Sequence, residues 1–111
     1  MASYIPKQGE LVSLDFDPQS GHEQRGRRPA LVLSKEAFNE RTGMAICCPI
    51  TNTDRKISLH IQVTDRCSLT GFVMCDQVKS LDFRARRMKF IECAPRELVD
   101  DVLAILDAIL F

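Results

Sequence analysis

No run of apolar residues in this 111-residue chain is long enough to cross a bilayer, and its N-terminus has no basic segment followed by an apolar stretch. A membrane span and a secretory leader are therefore not expected, and the cytoplasm is the expected location. Net charge is also lacking: 15 basic and 15 acidic residues cancel, so the whole molecule exerts no strong electrostatic pull on a polyanion. The five cysteines, Cys47, Cys48, Cys67, Cys75 and Cys93, are odd in number and show no C-x-x-C spacing. That pattern argues against a disulfide framework and against a zinc site, and leaves the thiols reduced, several of them in the core. Internal repeats and low-complexity tracts are absent too. With 45% hydrophobic and 27% charged residues the composition is that of an ordinary globular chain, and residues 1–111 form one domain.

What is present centres on residues 16–34, FDPQSGHEQRGRRPALVLS. Val12, Leu14 and Phe16 alternate with polar residues, the period of a strand with one buried face. A polar loop then runs from Asp17 to Arg28, longer than a routine hairpin connection, with Gly21 and Gly26 to supply unusual backbone angles. Arg25, Arg27 and Arg28 put three positive charges within four residues, and Glu23 is the nearby acid. Guanidinium groups match phosphate in geometry, although a charge run by itself serves equally well as a solvated loop.

Pro29 opens a second strand, and Ala30–Leu33 is apolar throughout, as in a strand buried on both faces. Lys35–Arg41 favours a short helix with Ser34 as its N-cap, ended by Thr42-Gly43. Met44–Ile50 reads as a central strand that delivers Thr51 to its exit. Ile57, Leu59, Ile61 and Val63 alternate with polar residues as the clearest amphipathic strand, with His60 on the polar, exposed side. A turn-rich segment, Asp65–Gly71, precedes another strand at Phe72–Cys75, and Asp76–Ser80 leads out of it as a polar stretch. Arg84, Arg86, Arg87 and Lys89 make a second basic cluster before a short strand at Met88–Cys93. Pro95 then opens a terminal helix whose apolar stripe, Leu98, Val102, Ile105 and Ile109, is broadened by Val99, Leu103, Leu106 and Leu110. About six strands, one long early loop and a terminal helix predict a mostly β fold, a small and partly open antiparallel barrel with helices attached.

Glu23-Gln24 followed by Gly26, then Arg28-Pro29 and an apolar strand ending at Ser34, resembles the signature loop of the MazF/PemK/Kid toxins. The likeness continues through Phe38-Asn39, Thr42-Gly43, Cys48-Pro49-Ile50-Thr51, Gly71 and Asp76-Gln77-Val78-Lys79-Ser80, nearly the whole chain and in order. These toxins are small, cytoplasmic, sequence-selective endoribonucleases of type II toxin–antitoxin systems. The resemblance implies the SH3-like barrel of the MazF/PemK/CcdB type with a C-terminal helix, assembled as a homodimer. It further implies single-stranded RNA as substrate and a cognate antitoxin with an acidic, flexible tail as partner.

Cleavage of RNA needs neither metal nor cofactor, because the 2′-hydroxyl can attack the adjacent phosphate if the strand is held in line and the developing charge is stabilised. The resemblance assigns catalysis to Arg28, Thr51 and Glu23. Arg28 stabilises charge on the phosphoryl oxygens through paired hydrogen bonds, Thr51 donates to the same oxygens, and Glu23 either accepts the 2′-hydroxyl proton or orients Arg28. The two histidines, His22 and His60, do not belong to the signature. Asp15, Phe16, Gln24, Arg25, Lys56, Gln77 and Lys79 are the residues expected to grip RNA. Amide and carboxylate groups read base edges, lysines contact phosphate and the aromatic stacks on unpaired bases. Pattern alone places Phe16 in the core or at its rim, and makes Thr51-Asn52-Thr53 ordinary turn chemistry. Two other readings stand beside the nuclease: a barrel of the same fold that binds a protein target such as gyrase, and a structural or regulatory barrel. An Arg28 and Thr51 pair suits phosphoryl transfer and has no evident use in gyrase poisoning.

Overall fold

In a computed structural model, which describes residues 4–16, 27–53, 56 and 59–111, the chain forms seven strands and two helices. In chain order these are β1 (Glu10–Asp15), β2 (Arg27–Val32), α1 (Glu36–Thr42), β3 (Met44–Thr51), β4 (His60–Gln62), β5 (Phe72–Met74), β6 (Lys79–Asp82), β7 (Lys89–Cys93) and α2 (Arg96–Leu110). A single 3-10 turn at Cys75–Gln77 separates β5 from β6. Every strand pairing in the sheet is antiparallel, in the order β4-β5-β3-β2-β1-β7, with β6 joining β3. Among the described residues β4 and β7 do not pair, so the sheet curls without closing.

The centre of the sheet is β3, whose two edges are treated differently. One edge meets β2 at residues 47–49, while the other pairs with β6 at Met44–Cys47 and then with β5 at Ile50 and Thr51. Pro49 stands at the fork. The Ile46 N–H and carbonyl both face the β2 side, where they meet Ser34 Oγ at 2.8 Å and the Leu33 N–H at 2.8 Å. Alternation therefore turns the Pro49 nitrogen, which has no hydrogen to donate, toward the edge that β6 has left and β5 has not yet reached. A ladder interrupted there lets the sheet bend.

Alternation also divides the core between the two faces of the sheet. Leu11, Leu31, Leu33, Cys48 and Ile50 face α2, which buries Leu98, Val99, Val102 and Leu106 against them. Val12, Leu14, Phe16, Ala30, Val32, Ala45 and Cys47 point to the other face, where Leu81, Phe83 and Met88 cover them. Thus the chain is buried on both faces at Ala30–Leu33, through β2 and just beyond it, as its unbroken apolar run predicts.

Several local expectations differ. Ser34 does not cap α1: Lys35 holds the cap position without a side-chain bond. The Ser34 hydroxyl donates instead to Asn39 Oδ1 at 2.5 Å. Asn39, fully buried, donates from Nδ2 to the carbonyls of Pro6 at 2.9 Å and Ser34 at 3.2 Å, which tethers the N-terminal segment to α1. Gly43 ends α1 in the left-handed region, as expected. The stretch leading out of Gln77 contains a seventh strand, β6, which the sequence pattern hid because only Leu81 within it is buried. His60 lies at a polar position of its strand, yet its side chain is 3% exposed rather than facing solvent. Pro95 sits one residue earlier than expected, as the cap of α2.

Candidate functional site

The pairing of β2 with β3 sets Ala30 opposite Pro49 and Val32 opposite Cys47. The ladder ends at Ala30 and Pro49, so Arg28 and Thr51 lie two residues beyond it on neighbouring strands, where β3 turns to pair with β5. Arg28 pairs with Leu14 across β1, so the guanidinium extends from a residue held in a ladder. Rigid placement of this kind suits a group that must meet charge in a transition state.

Thr51 is 7% exposed, and its hydroxyl accepts the Thr53 N–H at 3.2 Å. That bond uses a lone pair and leaves the hydroxyl proton for donation to a ligand. Gly71, at φ +111, packs so closely beneath that a Cβ on it would come within 2.3 Å of the Thr51 carbonyl oxygen. Glycine is required there both by its backbone angle and by its lack of a side chain.

Phe16 and Lys79 lie in contact. The ring is 7% exposed and packed in the core, and the Lys79 ammonium lies 5.7 Å from its centroid, within cation–π range. Lys79 pairs with Cys47 in the β3–β6 register, so the curl of the sheet brings the end of β1 to the start of β6. Gln77 closes the 3-10 turn just before it. By alternation Arg28, which follows the parity of Ala30, and Lys79, opposite Cys47, belong to the face of the sheet that carries Phe16.

The other expected residues distribute differently. Asp15 is bound by two arginines, with Oδ1 3.4 Å from Arg27 Nη1 and Oδ2 3.0 Å from Arg87 Nε. Lys56 is exposed in the segment after β3, with φ 57. Glu23, Gln24 and Arg25 lie outside the described residues. No cluster of three metal-ligating side chains occurs among the described residues.

A model of the PemK-like, MazF-like toxins of type II toxin–antitoxin systems matches residues 7–110. The chain belongs to this family. It is 39% identical over 99 residues to the endoribonuclease toxin MazF of Escherichia coli K12, covering 88% of each chain. To the endoribonuclease toxin ChpB of the same organism it is 40% identical over 111 residues, covering 93% of this chain and 92% of the relative. Among solved structures, a MazE–MazF complex of Deinococcus radiodurans contains a chain 40% identical to this one, with a TM-score of 0.89 and 97% of each chain covered. The MazF fold, with its open curled sheet and C-terminal helix, is therefore shared.

One polar pair near this family's D-Q-V-K-S segment escaped the sequence reading. His60 Nε2 lies 3.0 Å from Asp76 Oδ1, while His60 Nδ1 is buried without a hydrogen-bond partner. Asp76 was legible as part of the motif. Burial of His60 was not, because a three-residue strand carries too little periodicity to reveal which side is covered.

Proposed function

We infer that this chain is the toxin of a type II toxin–antitoxin pair, and that it acts as an endoribonuclease. The observation that supports the site is the placing of Arg28 and Thr51 on neighbouring strands, two residues beyond the last β2–β3 pair, in the sheet that holds Lys79 over Phe16. RNA lies across the face that carries Phe16 as a single strand, its phosphates near Arg28 and Lys79. Attack of the 2′-hydroxyl oxygen on phosphorus forms the cyclic ester and breaks the bond to the 5′ oxygen. The 2′ proton passes to a base, and a proton reaches the departing 5′ oxygen. Arg28 stabilises the doubly charged phosphoryl oxygens, and the Thr51 hydroxyl donates to the same group. Glu23 serves as that base or as the group that orients Arg28. The products are a 2′,3′-cyclic phosphate and a 5′-hydroxyl, formed without metal at a short sequence motif in messenger RNA, whose loss arrests translation and growth.

Gln24 and Gln77 read the bases or hold their edges, and Arg25, Lys56 and Lys79 contact the backbone, whereas Asp15 has both oxygens engaged by Arg27 and Arg87. Incubating the purified protein with a defined RNA in EDTA tests the reaction. Cleavage to the cyclic phosphate is expected, and a reaction abolished by EDTA and restored by magnesium overturns the mechanism. Arg28→Ala is expected to slow cleavage by roughly 100-fold or more, as for loss of a transition-state donor. A variant that cleaves at the normal rate removes Arg28 from the site.

The Deinococcus relative was solved together with MazE, and an antitoxin is the partner of this chain as well. Its acidic, flexible tail follows the RNA path and competes with phosphate for Arg28 and Lys79, so that association slows as salt rises. Two copies of the chain form the active homodimer in the cytoplasm. A non-catalytic barrel that poisons gyrase is not favoured, since the relatives that match carry the name endoribonuclease.

A further inference from the structure

Arg27 and Arg87 belong to the two basic clusters of the sequence, but their guanidinium groups are already committed to the protein. Arg27 precedes Arg28 on β2, so its side chain leaves the opposite face of the sheet. There its Nε and Nη2 donate to Ser13 Oγ at 3.3 and 3.2 Å, and Nη2 donates to the Ser13 carbonyl at 2.7 Å. Nη2 also reaches the Arg87 carbonyl, and Nη1 meets Asp15 at 3.4 Å. Asp15 spends its second oxygen on Arg87 at 3.0 Å. The Asp15 N–H donates to the Arg86 carbonyl at 2.9 Å, so the turn before β7 is joined to β1 at the same place.

Arg87 holds this arrangement at a cost. Its φ is 53, in the left-handed region where a residue with a side chain is strained. Its side chain is 76% exposed, and an exposed ion pair adds little to global stability. Stability is thus a weak reason for the strain, whereas order at one point is a strong one: such strain persists where the surroundings over-determine the backbone. The point being ordered is the mouth of the hairpin, where β1 ends at Asp15, β2 begins at Arg27 and Arg28 follows.

We propose that Asp15, Arg27 and Arg87 form a positioning clamp that fixes Arg28 at the start of β2 from behind the sheet, and that Arg27 and Arg87 are not phosphate contacts. The proposal rests on the catalytic reading of Arg28 given above. The fork of Arg27 is the essential part, because it bridges β1 and the turn with several donors in one plane. A lysine has the charge without the fork.

The test compares Arg27→Lys, Arg87→Met and Arg87→Lys with the unaltered protein in steady-state RNA cleavage, RNA binding across a salt series, and thermal unfolding. A clamp predicts that Arg27→Lys loses about 10-fold or more in kcat at nearly constant KM, as misplacement of a catalytic group does. The slope of binding against salt should not change, and unfolding should shift little. Arg87→Met should lose kcat likewise, and Arg87→Lys, which keeps a charge for Asp15, should recover most of it. A raised KM with a salt slope smaller by about one is the signature of a lost phosphate contact and overturns the proposal. Unchanged kcat in both Arg27→Lys and Arg87→Met overturns it too. Amide NMR shifts of Arg28 and Thr51, read without RNA, decide the geometry separately: they should move in Arg27→Lys, and unmoved shifts reject the clamp. If Arg28→Ala cleaves normally while those shifts do move, the catalytic reading fails and the clamp's geometry stands.

Discussion

Single residues here act through the backbone as much as through their side chains. Arg28 and Thr51 are carried to the ends of neighbouring strands by the β2–β3 pairing, and Gly71 shows how tightly the Thr51 end is held, since nothing larger than hydrogen fits against its carbonyl. Gly71→Ala is expected to cost about 3 kcal/mol, because the positive φ and the backbone collision act together. Thermal unfolding should fall by roughly 10 °C for a domain of this size. Cleavage measured well below the new midpoint should also slow, since Thr51 must retreat from the added methyl group. Thr51→Val keeps the shape and removes the hydroxyl, so it should lower the cleavage rate while leaving the unfolding midpoint within a few degrees. Full activity in Thr51→Val shows that the hydroxyl does not touch the reacting phosphate.

Elements are tied to one another by a few buried polar groups. Asn39 on α1 is fully buried and links the helix to the N-terminal segment and to the exit of β2, while Ser34 passes the connection on to β3 through Ile46. Asn39→Ala should destabilise by about 2–3 kcal/mol, because the carbonyls of Pro6 and Ser34 lose their donor inside the protein. Chemical denaturation gives the value, and a change under about 0.5 kcal/mol, the usual size for a surface position, contradicts the role assigned to it. The terminal helix contributes differently, through Leu98, Val99, Val102 and Leu106 against the sheet. Leu98→Ala should cost about 2–4 kcal/mol, the range for truncating a large side chain in a packed core. Past the buried stripe Ile109, Leu110 and Phe111 are exposed.

At the scale of the molecule, burial controls the thiols. All five cysteines are free, and Cys47, Cys48 and Cys75 are buried. Burial pushes Cys75 up to about 11 and Cys47 up to about 12, and raises Cys48 further in the same direction. A thiol whose folded pKa lies above its unfolded value of 9.0 holds its proton in the folded state where the unfolded chain has lost it. This contribution to stability is complete below about pH 9 and is lost as pH rises through 11 to 12. Unfolding free energy should therefore decline from about pH 9 upward, measured by denaturant titration at fixed ionic strength. A disulfide reagent at about pH 8 should modify Cys93, which is exposed, well before Cys47, Cys48 and Cys75. Rapid reaction of all five in the folded protein contradicts the burial.

Much of the architecture follows from short-range pattern. The period of two around Val12, Leu14 and Phe16 marks β1, the apolar run at Ala30–Leu33 marks a strand covered on both faces, and the stripe after Pro95 marks α2. Each signal spans enough residues for burial to imprint a periodicity on them. The motif residues Arg28 and Thr51 were legible as candidates for the same reason that they are chemically distinctive. That they end on neighbouring strands was not legible, because the register of β2 on β3 depends on pairing across residues far apart in the chain. The same limit hid β6, whose four residues bury only Leu81, and the covering of His60 by its contact with Asp76. It also hid the fate of Arg27 and Arg87. Sequence marks an arginine as a cation available to phosphate, and only the fold decides whether Asp15 has taken that charge first, since a guanidinium binds whichever oxygens the chain's path brings within reach.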